Sequence, residues 1–132
     1  MKVLDATFAI DYEYGIKATE RYLTDHADEA FIMPAPTFLE VLLGEVHYEG
    51  ITTDLIAARE ELGWADIKPV TDETAMQAAQ VADEIGSQGP QLTMPDAVVA
   101  GTARELGAPV VSYDSDLTHD EIKKVVDVEE YR

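Results

Sequence analysis

Residues 92–117, LTMPDAVVAGTARELGAPVVSYDSDL, decide how the rest of this chain is read. Pro95 and Asp96 open a run in which Ala97, Ala100, Gly101 and Ala103 mark a helix with a small-sided face, beginning beside a carboxylate. Residues 108–113, APVVSY, then form a short apolar run that reads as a buried strand closed by Asp114. A carboxylate at a helix start and another at a strand end meet at the carboxyl edge of a parallel sheet, where open α/β folds place their sites.

The remaining segments supply the other elements of such a sheet. Residues 2–5 read as a short strand ending on Asp5, and a helical pattern from Thr7 carries Phe8, Ile10 and Tyr14 before Gly15. A second helical piece, residues 16–23, precedes a strand at residues 31–33, which Pro34 and Pro36 stop. The clearest periodicity follows: Ala35, Phe38, Leu39, Leu42, Leu43 and Val46 recur at helical spacing and predict one buried face. Residues 50–63 predict a helix with Thr52 or Thr53 as N-cap and Gly63 as stop. Residues 67–70 predict an edge strand, because Pro69 cannot donate to a ladder. Thr71 or Asp72 caps a helix through Ile85, expected to be buried along Ala75, Ala78, Ala79, Ala82 and Ile85, with Gly86 ending it. Residues 124–128 supply a last strand before a polar tail. Strands alternating with helices predict right-handed crossovers and a three-layer α/β/α sandwich on a parallel sheet of four to five strands, with residues 1–132 as a single domain.

Composition limits the chemistry. With no cysteine, disulfides, thiolate nucleophiles and zinc ribbons are excluded, which fits a reducing cytoplasm. The N-terminus reaches Asp5 too soon for a signal peptide, and no apolar run approaches the ~20 residues of a membrane span, so a cytoplasmic chain is expected. The net charge of −18 arises from 27 acids against 9 bases. The favoured reading is halophilic adaptation, a surface solvated for molar salt where the Debye length is roughly 3 Å, and the alternative is an acidic partner-binding surface. So few cations make unaided nucleic-acid binding unfavourable at low salt, and any such role requires metal ions, salt or a local basic patch.

Asp5 and Asp114 end strands whose adjacency would bring them together, and Asp96 sits where a helix dipole favours negative charge. An Asp after Pro at a helix start is, taken alone, most often a cap. Several carboxylates gathered without a neighbouring Lys or Arg repel one another, and a hard divalent cation with oxygen ligands relieves the repulsion. Glu40 lies about 130° from the centre of the Phe38–Leu42–Leu43 face, so periodicity places it in solvent unless a site lies at the helix rim. Asp116 reads as a further ligand, a supporting acceptor or a turn residue in Tyr113-Asp114-Ser115-Asp116, the last two being favoured. His26, His47 and His119 show no ligand spacing, and no Ser lies at a strand-to-helix elbow.

Four pieces in register resemble the PIN-domain superfamily, and within it the VapC-type toxin ribonucleases. They are Val3-Leu4-Asp5-Ala6-Thr7 with Ile10-Asp11, residues 36–44 (PTFLEVLLG), residues 95–103 (PDAVVAGTA) with 105–108, and residues 111–117 (VSYDSDL). The resemblance implies an α/β/α sandwich and a Mg²⁺- or Mn²⁺-dependent endoribonuclease acting on RNA. Carried over by position, the acidic quartet is Asp5, Glu40, Asp96 and Asp114, as catalytic and metal-binding residues. Asp116 is a frequent companion, and Thr7 and Ser112 match small polar supports. It also implies a cognate antitoxin covering the acidic groove, and a homodimer. Ala6-Thr7 replaces the Ser or Thr followed by Asn that is common after the first Asp, and Leu117 stands where Phe is common. The competing reading is a catalytically weak or inactive PIN-type interaction module. A phosphatase with Asp5 as nucleophile wants an acidic residue at position 7, where Thr7 stands.

Overall fold

Val3 and Leu4 point to opposite sides of one sheet, as do Val110 and Val111, and the two apolar cores follow from that alternation. The computed structural model describes residues 1–48 and 53–132. Its strands are β1 (Lys2–Leu4), β2 (Phe31–Pro34), β3 (Ala65–Lys68), β4 (Val110–Ser112) and β5 (Val128–Glu130), all parallel in the order β3-β2-β1-β4-β5. The helices are α1 (Ala6–Glu13), α2 (Lys17–Asp25), α3 (Ala35–Val46), α4 (Leu55–Glu61), α5 (Asp72–Ile85), α6 (Met94–Leu106) and α7 (Asp120–Lys123). Leu4, Phe8, Tyr22, Phe31, Val41, Leu62 and Tyr131 fill the core under α1 to α4, while Val3, Val81, Val99, Ala103, Leu117 and Ile122 fill the one under α5 to α7.

The sandwich expected from the sequence is present with five strands, and β3, carrying its proline just beyond Lys68, lies at the edge. The direction of chain progression reverses between β1 and β4, so the topological switch point lies directly above Asp5 and the loop after Ser112.

Several elements depart from their expected form. Half of the stripe predicted to bury α3 points outward: Leu39, Leu43 and Val46 are 54%, 44% and 46% exposed, while Phe38 packs at the margin of the core and the fully buried residues of the helix are Thr37 and Val41. Apolar periodicity marks a face that some surface could cover, and here the sheet takes the neighbouring one. On α5 the buried line is Thr74, Ala78, Val81 and Ile85, with Ala75, Ala79 and Ala82 exposed, because Val81 carries more apolar surface into the core than the alanines do. Asp54 caps α4, accepting from Ala57 N at 3.0 Å; Thr53 instead donates to the Glu45 carbonyl, and Gly50 and Thr52 lie outside the described residues. The third strand is shifted two residues earlier, and residues 120–123 form a short helix that delays the last strand to Val128.

Gly101 shows why α6 has a small face. A Cβ there would stand 2.6 Å from the Ala78 backbone nitrogen and 2.7 Å from its Cα, so α5 approaches α6 backbone to backbone. Gly101 serves this helix-to-helix contact, while Val99, Ala100 and Ala103 of the same helix pack in the sheet-side core. Gly101→Ala should therefore cost ~1–3 kcal/mol through overpacking, read as a lowered denaturation midpoint with an unchanged m-value. Stability equal to the parent would show that α5 can retreat freely.

Candidate metal centre

Asp5 is the residue at which β1 becomes α1. It N-caps the helix, accepting from Phe8 N at 3.3 Å, and is only 2% exposed. The Thr7 hydroxyl donates to its carboxylate at 2.7 and 2.9 Å, and the Ser112 hydroxyl donates to Oδ2 at 2.7 Å. Both hydroxyls also accept backbone hydrogens from the β4 loop, Thr7 from Tyr113 N at 3.1 Å and Ser112 from Asp114 N at 2.9 Å. Asp5 and the Asp114 loop are therefore held in one frame by two side chains.

Asp114 folds its own loop. Its Oδ1 accepts from Asp116 N at 2.8 Å and Leu117 N at 3.1 Å, an Asx-type turn that fixes the carboxylate and engages one of its two oxygens. Asp96 is the third residue of α6, whose N-cap is Thr93: the Thr93 hydroxyl accepts from Asp96 N at 3.4 Å. Thr93 therefore performs the capping that Asp96 alone suggests, a role that the T-x-x-D spacing of Thr93 and Asp96 already encodes.

These elements bring Asp96, Asp114 and Asp116 together, with one carboxylate oxygen from each lying within 4.8 Å of the others, all three half-buried. Asp116 thus stands in the turn and in the cluster at once. Asp5 and Glu40 flank it. Burial pushes the Asp96 carboxyl up to about 6, reinforced by the charge of Asp114 and, more weakly, of Asp5 and Glu40, against the lowering effect of Thr93. Burial also raises Asp5 to about 6, its hydrogen bonds from Ser112, Thr7 and Phe8 opposing the shift and Asp114 adding to it. Glu40 is an exposed residue at the helix rim, and its carboxyl is raised by partial desolvation and then by Asp114. It reaches this edge because α3 faces the core through Thr37 and Val41, a direction about 80° from Glu40 rather than the 130° measured from the outward apolar stripe.

The donor set suits a hard divalent cation. Oxygen ligands bind such ions at about 2.0–2.6 Å, so two ligands of one ion stand at most about 5 Å apart, a limit that the 4.8 Å cluster meets. Among the described residues no Lys or Arg forms an ion pair with Asp5, Glu40, Asp96, Asp114 or Asp116. Positive charge from outside the chain is what the cluster lacks.

A family model described as PIN domain matches residues 2–124. This chain belongs to the PIN domain family. PIN domains are in general nucleases and typically use divalent metals. Solved structures with the same fold include FitAcB from Neisseria gonorrhoeae, at 20% identity and TM-score 0.79 over 99% of this chain and 98% of that one. A toxin-antitoxin complex from Klebsiella pneumoniae matches at 17% identity and TM-score 0.78, covering 100% and 98%. DNA-bound VapBC from Salmonella typhimurium matches at 16% and 0.79, covering 99% and 98%. No curated protein sequence matches the chain. Among the described residues no helix is long and apolar enough to cross a membrane.

The raised carboxyl of Asp96 fixes a sign for the metal-free chain. From 3.8 to about 6 the unfolded state ionises while the folded state keeps its proton, so stability falls as pH rises through that interval. In chelator, Asp96→Asn should melt higher than the parent at about pH 7, and the difference should vanish near about pH 4. Equal melting temperatures at the higher pH would contradict a desolvated, repelled carboxylate.

Proposed function

We propose that this PIN domain is a Mg²⁺- or Mn²⁺-dependent endoribonuclease and the toxin of a VapBC-type pair. The observation that carries the reading is the convergence of Asp96, Asp114 and Asp116 within ligand distance, electrostatically linked to Asp5 and Glu40 and unpaired with any described base. Asp96, Asp114 and Asp116 would hold the ion, with Asp5 and Glu40 as further ligands or neighbours in charge. When bound, the ion would supply an activated water for attack on an RNA phosphodiester and neutralise charge on the phosphate oxygens.

The chain's own residues do the positioning. Ser112 and Thr7 hold Asp5 against the Asp114 loop, and the Asx turn fixes the Asp114 carboxylate beside Asp96 and Asp116. The Tyr113 ring, 50% exposed and with the Arg132 guanidinium 4.6 Å from its centroid, offers an RNA base a stacking surface next to the site. On a chain of charge −18, polyanion binding depends on cations at this edge. The exposed Leu39, Leu43 and Val46 stripe supports a protein partner, either the antitoxin or a second copy in a homodimer. The solved neighbours named as toxin-antitoxin complexes support the former.

Purified chain should cleave RNA when Mg²⁺ or Mn²⁺ is added, and Asp96→Asn or Asp114→Asn should abolish cleavage without unfolding the protein. Ser112→Ala, which leaves every carboxylate in place, should weaken metal affinity by about 10- to 100-fold, measured by titration calorimetry. Cleavage that persists in EDTA would sink the nuclease reading. Absence of metal binding would favour the interaction-module alternative.

A further inference from the structure

Helices α1, α3 and α4 each carry a glutamate in their last turn, Glu13, Glu45 and Glu61, and the three carboxylates converge. Negative charge is disfavoured there, because unsatisfied carbonyls give a helix C-terminus a partial negative charge and make it a site for cations. Glu45 lies close enough to Glu13 to push its carboxyl up by contact and by charge. The Glu13 Oε1 atom is buried with no donor among the described residues. Glu13 and Glu45 line a cavity of about 300 Å³ together with Ile10, Tyr14, Gly44 and Tyr48, while Glu61 acts on Glu13 through its charge alone. Tyr14 and Tyr48 are 72% and 56% exposed, leaving aromatic surface at its mouth. The base on α4, Arg59, lies over the Phe38 ring, and among the described residues no Lys or Arg pairs with Glu13, Glu45 or Glu61.

We propose that this cavity receives a Lys or Arg side chain carried on an apolar segment of a partner protein. Charge complementarity selects the cation: the Glu13 and Glu45 carboxylates, at the C-terminal ends of α1 and α3, line one space to which no Lys or Arg contributes. The walls select a side chain over a bare ion, since an aquated metal would meet apolar and aromatic groups that cannot ligate it, whereas a guanidinium or ammonium stacks on tyrosine and its stem lies along Ile10. The site stands about 12 Å along α1 from Asp5, so it is separate from the metal centre. It names the chemistry of a partner for the toxin reading above while remaining independent of any nuclease activity. Burial, then the contact and charge of Glu45, then Glu61, push the Glu13 carboxyl up to about 7. A docking cation favours the ionised form, so binding releases a proton and strengthens as pH rises through that region.

Random 12-residue peptides displayed on phage, selected on the full chain at physiological salt, test the proposal. Selected peptides should carry Lys or Arg flanked by apolar residues. Their affinity should fall at least about tenfold in both Glu13→Gln and Glu45→Gln, the loss expected for one charge-assisted hydrogen bond. Both variants relieve repulsion, so a melting temperature at or above the parent's confirms that they fold. Calorimetry of a selected peptide in two buffers of different ionisation enthalpy should show proton release in the parent and none in Glu13→Gln. Several results would overturn the proposal: no enriched peptide, enriched peptides without a basic residue, or equal binding to parent and variants, which would show attraction to net charge alone. Self-association lost in Glu13→Gln would assign the cavity to a second copy and overturn it too. Selection reads binding alone, so its outcome does not depend on whether the chain cleaves RNA.

Discussion

The Ser112 hydroxyl, fully buried between adjacent strands, donates to Asp5 and accepts from the Asp114 backbone. One side-chain oxygen thereby ties the end of β1 to the loop after β4, at the place where strand order reverses. The tie requires β1 and β4 to be neighbours, with Val3 opposite Val110 and Leu4 opposite Val111. That register in turn requires Val3 and Val110 to enter one core while Leu4 and Val111 enter the other. A slip of one residue would exchange the cores and turn Asp5 away from the cluster. Packing and site geometry are therefore one constraint.

How much of this was legible in the sequence depends on the range of the interaction that decides each feature. Strands ending on Asp5 and just before Asp114 are local facts, and the βα alternation makes parallel order follow from chirality. The helix faces were only partly legible, since Ala78 and Ile85 of α5 are buried as expected while much of the α3 stripe is not. Leu39, Leu43 and Val46 have the same periodicity whether a sheet, a partner or solvent lies beside them, and the sheet took Thr37 and Val41. The placement of Glu40 inherited that ambiguity, since its angle to the core can be measured only once the core-facing side is known. Asp116 was legible as a turn residue, but its nearness to Asp96 depends on how α6 sits against the β4 loop, which no local pattern encodes.

Charge is distributed so that the acidic edge stays unneutralised. Lys2 pairs with Glu129 and Glu29, Lys68 with Glu105, Arg104 with Glu84, and Arg132 with Asp11. Lys2 and Lys68 are held at the first and last residues of their strands, β1 and β3, while the carboxylate cluster gathers at the switch point above β1 and β4. Desolvation of Asp5 and Asp96 without a compensating cation is a cost the fold bears in the metal-free state, and it is offset by the hydroxyl and amide donors around Asp5 and Asp114.

The two ends of α1 make a useful contrast. Asp5 stands at the N-terminus, where helix amides and two hydroxyls stabilise its charge, so its raised pKa reports burial that this support only partly cancels. Glu13 stands at the C-terminus, where burial, the helix dipole and Glu45 all act against ionisation. An acid at the first end can take part in an anionic cluster that awaits a metal ion while the fold itself supplies most of its hydrogen bonds. An acid at the second end has no such support from the chain. Its carboxyl is pushed up to about 7 and keeps its proton where an ordinary surface glutamate is ionised, so the two ends of one short helix hold acids raised in opposite helix-dipole settings.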